Sequence, residues 1–184
     1  RKALTRLSKV VNDPELTLVR AQLGKLLSPQ MDKVSREFYS YSARAAVENL
    51  THKLRINSGK YQITTSRVKL PVTVINEFDS DVTVDVSMLP INSRVIVDSF
   101  DNVTIPARSK KQLEMQVEVI APGQTTVSAY ITDDRGNDVV PEATLTLNST
   151  VIDSKVTWFT TGAAILLLLA AVAQSIRRIR KRSK

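Results

Sequence analysis

Residues 156–176 read V-T-W-F-T-T-G-A-A-I-L-L-L-L-A-A-V-A-Q-S-I, twenty-one positions without a charge. Roughly 20 mostly apolar residues wound as a helix cross the ~30 Å hydrocarbon layer of a bilayer. A buried helix of a soluble protein rarely runs so long without a charge, because one of its faces usually meets water. Arg177, Arg178, Arg180, Lys181 and Arg182 follow at once, with Lys184 behind them. Flanks dense in Lys and Arg stay on the cytoplasmic side, and aromatic rings such as Trp158 and Phe159 suit the opposite water–lipid interface. The expectation is one transmembrane helix over 153–176 and a cytoplasmic basic tail over 177–184. Everything earlier is then extracytoplasmic, so the chain belongs in a cell membrane, single-pass. A secretory signal is excluded by position, since its basic residues come first and it stands at the N-terminus.

The net charge of +8 is unevenly spread. Residues 1–60 carry twelve Lys or Arg against five Asp or Glu, a balance of +7; residues 61–155 carry eight against thirteen, a balance of −5. The tail holds +6. The high isoelectric point therefore gives no argument for nucleic acid; the tail's cations match a membrane flank and anionic lipid heads. The chain has no cysteine. Exported animal domains of this size often carry disulfides, so a bacterial envelope of Gram-positive type fits better. The chain starts at Arg1 without an initiator Met or leader. It reads as the C-terminal piece of a longer exported protein.

Residues 1–59 read as helical, the end of an upstream domain. Ala3, Leu4, Leu7, Val10 and Val11 recur at helical spacing. Asn12-Asp13-Pro14-Glu15 is a break followed by a cap, a proline at the first helical position and an acid at the positive end of the dipole. Leu16, Val19, Leu23, Leu26 and Leu27 form the next stripe. Ser28-Pro29 repeats the cap signal, and a longer helix to about Arg55 places Met31, Val34, Phe38, Tyr41, Ala45 and Leu54 along its apolar side. Asn57-Ser58-Gly59 ends it. The basic residues on the other faces suggest helices packed on a neighbouring domain, or a surface held near anionic lipid or wall polymer.

From Tyr61 the period becomes two. Extended segments are expected at 61–65, 68–76, 82–89, 94–98, 102–105, 110–120, 124–132 and 143–152. Leu113, Met115, Val117 and Val119 face inward against Glu114, Gln116 and Glu118, and Val127, Ala129 and Ile131 do the same. Pro71 lacks the donor for a ladder, so it belongs at an edge or a bulge. About seven short strands with turns every eight to twelve residues predict an immunoglobulin- or fibronectin-like β-sandwich over 60–152. The fold class is mainly β, with helices before the sandwich and the membrane helix after it.

The search for chemistry returns little. His52 is the only histidine and there is no cysteine, which argues against a zinc site and against a Ser-His-Asp triad. His52 reads as a solvent-facing helical residue. No glycine-rich phosphate loop occurs. Glu77, Asp79 and Asp81, or Asp133, Asp134 and Asp138, could share calcium, but Asp, Asn and Gly are also what tight turns demand. No catalytic residue, metal or cofactor is assigned. Asn49-Leu50-Thr51, Asn102-Val103-Thr104 and Asn148-Ser149-Thr150 match the glycosylation pattern, with no meaning expected in a bacterium. Within the span, Thr160, Thr161, Gly162, Ala163 and Ala164 form a small-residue patch on which another helix can dock.

Three segments carry a resemblance. S-R-V-K-L-P-V-T-V-I-N-E-F-D-S-D-V-T-V-D-V at 66–86 is followed by I-P-A-R-S-K-K-Q-L-E-M-Q-V-E-V at 105–119 and G-Q-T-T-V-S-A-Y-I-T-D-D-R-G at 123–136. With the closing helix and basic tail, residues 60–184 resemble the C-terminal part of an actinobacterial envelope family. Its members are long, exported and single-pass, and are encoded near the lipid II flippase of the MurJ/MviN type. The resemblance implies a role beside peptidoglycan precursor export as a partner of that flippase, and carries over no catalytic residue. An L-P-x-T-G sorting motif is missing before the span, where S-T-V-I-D-S-K stands.

The leading expectation is thus a non-enzymatic, membrane-anchored interaction protein. It would use membrane lipid and an integral membrane protein as partners, with the small-residue patch and the acidic rim as contacts. The alternative is the stalk or polysaccharide-binding module of an envelope enzyme whose catalytic domain lies upstream. A third is a wall-polymer binder acting through the basic helices.

Overall fold

The computed structural model describes residues 2–150 together with Ile165, Leu167, Leu168 and Ala171, which are helical. Three helices, α1 (Lys2–Val10), α2 (Pro14–Lys25) and α3 (Lys33–Lys53), precede nine strands. The strands are β1 (Leu54–Ile56), β2 (Gly59–Ile63), β3 (Arg67–Asn76), β4 (Val82–Pro90), β5 (Val95–Val97), β6 (Phe100–Ile105), β7 (Ser109–Val119), β8 (Gly123–Thr132) and β9 (Ala143–Ser149). One sheet has the order β1-β3-β7-β5 and the other β2-β9-β8-β4-β6. Leu113, Met115 and Val117 from one sheet and Val127, Ala129 and Ile131 from the other are buried in the common core. The fold is mainly a β-sandwich, as the alternation predicts.

All pairings are antiparallel except β2 with β9, which run parallel from Gly59↔Leu145 to Ile63↔Ser149. β1 and β2 are one edge segment that changes sheets across Asn57 and Ser58. At Pro71 β3 is paired on one side only, since β1 reaches no further than Val74. The Pro71 carbonyl accepts from the Tyr61 hydroxyl instead. In an antiparallel pair a residue's N–H and C=O point the same way, so the missing donor of Pro71 lies on the open side. The proline is at an edge, as expected.

The helical segment does not end where the sequence suggests. The stripe through Leu54 extends the helical reading to Arg55, yet α3 stops at Lys53 and Leu54–Ile56 pairs with Val74–Asn76. Tertiary pairing overrides a three-residue continuation of helical spacing. The start differs too. Asp32, not Ser28, caps α3, its Oδ1 accepting from the Ser35 N–H at 2.9 Å. The buried face of α3 is a further correction. Val34, Phe38 and Tyr41 are 77%, 68% and 79% exposed, and Ala45 is exposed as well. Ala43, Leu50 and Thr51 are buried instead, with Ala46 and Val47 partly covered. Only the second half of α3 is buried against the protein, and the small residues there allow close approach.

α1 and α2 follow their stripes more closely. Leu4, Leu7, Val11, Leu16 and Val19 enter the same core as Phe78 and Val139 of the sandwich. Burying one such Leu contributes about 1.5–3 kcal/mol. Asp13 caps α2, with Oδ1 taking the Glu15 N–H at 2.9 Å. Its Oδ2 takes the N–H of Asp79 at 3.1 Å. One buried carboxylate therefore begins a helix and fastens it to the turn after β3.

Candidate functional site

The sandwich has two chemically distinct ends. At one, the turns after β3, β6 and β8 meet the helices. Every acid of the first turn is engaged separately. Arg55 Nη2 donates to Glu77 at 2.7 Å, Arg108 pairs with Asp79, and the Ala107 N–H donates to Asp81 at 2.8 Å. The neighbouring guanidinium groups hold the Glu77 and Asp79 carboxyls below their ordinary values. In the turn after β8, Asp133 is 1% exposed. It accepts from the Asn137 N–H at 2.8 Å, the Arg135 N–H at 3.1 Å, the Asn137 amide, and Lys9 at 3.1 Å. The Asn137 N–H, and after it the other donors, hold Asp133 well below the usual carboxylate range. The Asp138 carbonyl accepts from Arg6 Nη1 at 3.2 Å. These acids shape turns, and Asp133 also holds α1 through Lys9; among the described residues no three His, Cys, Asp or Glu side chains converge on a cation position. His52 is exposed on α3.

Next to this end α1, α3 and residues 138–142 enclose a groove of about 650 Å³. Its floor is apolar, including Ala3, Leu23, Ala43, Val47, Val139 and Val140. Arg6, Arg44, Glu48 and Glu142 stand around it. The Tyr130 hydroxyl also lines it and is pushed above the ordinary phenol value by its hydrogen bond to Glu142. Arg44 joins this groove to a second, smaller one of about 460 Å³ that contains Tyr41 and Arg36. Sequence reasoning missed the larger groove; the signal that could have found it is Val139-Val140-Pro141, too apolar for an ordinary solvent turn.

At the other end the chain leaves β9. The Thr150 N–H donates to the Ile63 carbonyl at 2.9 Å, and Ser149 Oγ donates to the Gly123 carbonyl at 3.1 Å. Gly123 has φ +123, and a Cβ there would lie 3.0 Å from Arg94 Nη1. Arg94 Nη1 donates to the Pro122 carbonyl at 2.6 Å. The segments 64–66, 91–94 and 120–123 that surround this exit contain no acid.

The anchor residues Trp158, Phe159, Arg177, Arg178, Arg180, Lys181 and Arg182 and the patch Thr160, Thr161, Gly162, Ala163 and Ala164 lie outside the described residues. Ile165, Leu167 and Leu168 are exposed. Among the described residues no helix is long and apolar enough to cross a membrane.

The sequence pattern of the family of unknown function DUF6049 matches residues 2–183. The chain is a DUF6049 protein. That match covers helices, sandwich and tail together. No curated protein matches the chain. Among solved structures, the DUF6049 chain is similar to WR4, an MSP family member of C. elegans. They share 13% identity and a TM-score of 0.36, over 53% of this chain and 98% of that one. It is similar to a PapD-like domain of human CEP192 at 9% identity and a TM-score of 0.39, over 55% and 87%. With the E. coli chaperone DraB the values are 10% and 0.34, over 53% and 55%. Likenesses this distant transfer no ligand, partner or activity to the DUF6049 chain.

Proposed function

We propose that this chain is a non-enzymatic, single-pass membrane-anchored interaction protein. Its sandwich stands outside the cytoplasm, and its partner is an integral membrane protein of cell-wall precursor export, the lipid II flippase. The observation that supports the reading most is the exit of the chain. β9 is closed by the Thr150–Ile63 hydrogen bond, and the uncharged run begins at Val156. Six residues span at most about 20 Å, which keeps the sandwich beside the bilayer and within reach of an integral neighbour. The carboxylates of Glu77, Asp79, Asp81 and Asp133 are each taken by the protein's own donors. The apolar groove with charges of both signs around it suits a protein contact better than a reaction. In the span, Thr160, Thr161, Gly162, Ala163 and Ala164 supply a close-packing face for a neighbouring helix.

Purification from native membranes in mild detergent tests this. The expected result is co-elution of the flippase, identified by mass spectrometry, and its loss when Gly162→Leu and Ala163→Leu crowd the patch. Recovery of the chain without the flippase would count decisively against the partnership.

A further inference from the structure

We infer that the exit end of the sandwich seats on the outer leaflet of the membrane, with Ile91 and Ile120 entering the headgroup–acyl boundary and Arg94 meeting lipid phosphate. The inference rests on the anchored reading above. Four large apolar side chains within the described part of the sandwich are exposed: Leu89, Ile91, Ile96 and Ile120. Ile91 and Ile120 lie in the loops at the exit end, while Leu89, opposite Ser128, and Ile96, opposite Glu118, stand behind them on strands of the two sheets. The Ile91 N–H donates to the Thr126 carbonyl, near the start of β8. The N–H groups of Ile120 and Ala121 both donate to the Arg94 carbonyl, which fixes the 91–94 loop against the end of β7. Leu89 and Ile96 flank that loop on β4 and β5. The chain leaves for residues 156–176 from the same place, because Ser149 Oγ binds the Ala121 and Gly123 carbonyls.

Exposed apolar clusters on a soluble surface mark a contact, and the occupant is indicated by where the chain goes next. A tether of about 20 Å holds this end, and no other, against the bilayer. Its charge is complementary to lipid phosphate. The loops 64–66, 91–94 and 120–123 carry Arg94 and no acid, the tether adds one charge of each sign in Asp153 and Lys155, and Glu118 beside them is paired with Arg67 at 3.0 Å. The acids Glu77, Asp79, Asp81, Asp133, Asp134 and Asp138 all lie at the opposite end. Apolar side chains backed by a cation form an interfacial seat.

The chain has no cysteine, so single sites can be labelled cleanly. The full chain carrying Ile91→Cys, Ile120→Cys, Asp134→Cys or Leu167→Cys is labelled with an environment-sensitive fluorophore. Each variant is reconstituted into phosphatidylcholine–phosphatidylglycerol vesicles containing nitroxide lipid. The expected result is blue-shifted emission and strong quenching by shallow nitroxides at 91 and 120. Position 167 should respond to deep nitroxides, and position 134 should show several-fold weaker quenching than 91. Quenching at 167 without quenching at 91 and 120 overturns the seat and leaves the anchor standing. No quenching at 167 overturns the anchor and the seat together. A blue shift at 91 and 120 without lipid quenching means that protein covers them and also overturns the seat, as does equal quenching at 134.

Discussion

Asn76 shows how much one side chain can organise. It is fully buried at the end of β3. Its Nδ2 donates to the carbonyls of Ser80, Ile105 and Pro106 at 2.9, 3.1 and 3.0 Å, and its Oδ1 accepts from the Phe78 N–H at 3.0 Å. The amide thus holds two turns against each other. Asn76→Ala strands several buried backbone groups and should cost at least about 2 kcal/mol in denaturant unfolding. Asp133 is the second case. Its folded pKa is depressed by the Asn137 N–H and other donors from an unfolded value near 3.8. Its contribution to stability is therefore complete above about pH 4 and falls away as the pH drops toward its folded value. Asp133→Asn should flatten the stability profile between about pH 4 and pH 2, read as unfolding midpoints across that range. Neither role was legible beforehand. Asn and Asp in a turn look alike whether they merely suit its backbone angles or bind several donors, and only the partners distinguish them.

Among the elements, the strands were the most legible and the long helix the least. Alternation in β7 and β8 named their core residues, because a period of two leaves only two faces. The helix α3 reads as carrying one stripe, and the structure buries another, through Ala43, Ala46, Val47 and Leu50. The expected one, through Val34, Phe38 and Tyr41, is exposed; the buried one, Leu50 apart, is made of smaller side chains that carry less signal. Phe38→Ser should therefore change stability by no more than about 0.5 kcal/mol, while Leu50→Ala should cost about 2–5 kcal/mol. Thermal unfolding of the two variants side by side decides which stripe is core. At the start of α2, Asp13→Ala removes both a helix cap and the acceptor of the Asp79 N–H. A loss of about 1–2 kcal/mol is expected for the cap alone, with a further loss for the orphaned donor.

For the whole molecule, the helices and the sandwich share one core that joins Leu4, Leu7 and Leu16 to Phe78 and Val139. A fragment of residues 54–150 would expose that apolar surface. Its melting temperature should lie at least about 10 °C below that of a fragment of residues 2–150, with a hydrophobic dye binding the shorter piece. The sandwich class was readable from turn spacing, and so was the polarity of charge along the chain. The docking of the helices was not, since an amphipathic stripe does not say which surface it meets. The three-residue strand β1 was hidden for a related reason: Leu54 fits a helical stripe as well as a strand.

The parallel pairing of β2 with β9 has a mechanical consequence. Both strands run toward the exit, so tension applied between the N-terminal helices and the chain beyond Thr150 pulls the two strands past one another lengthwise. The five register pairs from Gly59↔Leu145 to Ile63↔Ser149 would then have to rupture together, in shear, whereas a hairpin drawn open from its ends unzips one rung at a time. Single-molecule extension from the two termini should therefore yield at higher force than extension across the β8–β9 hairpin.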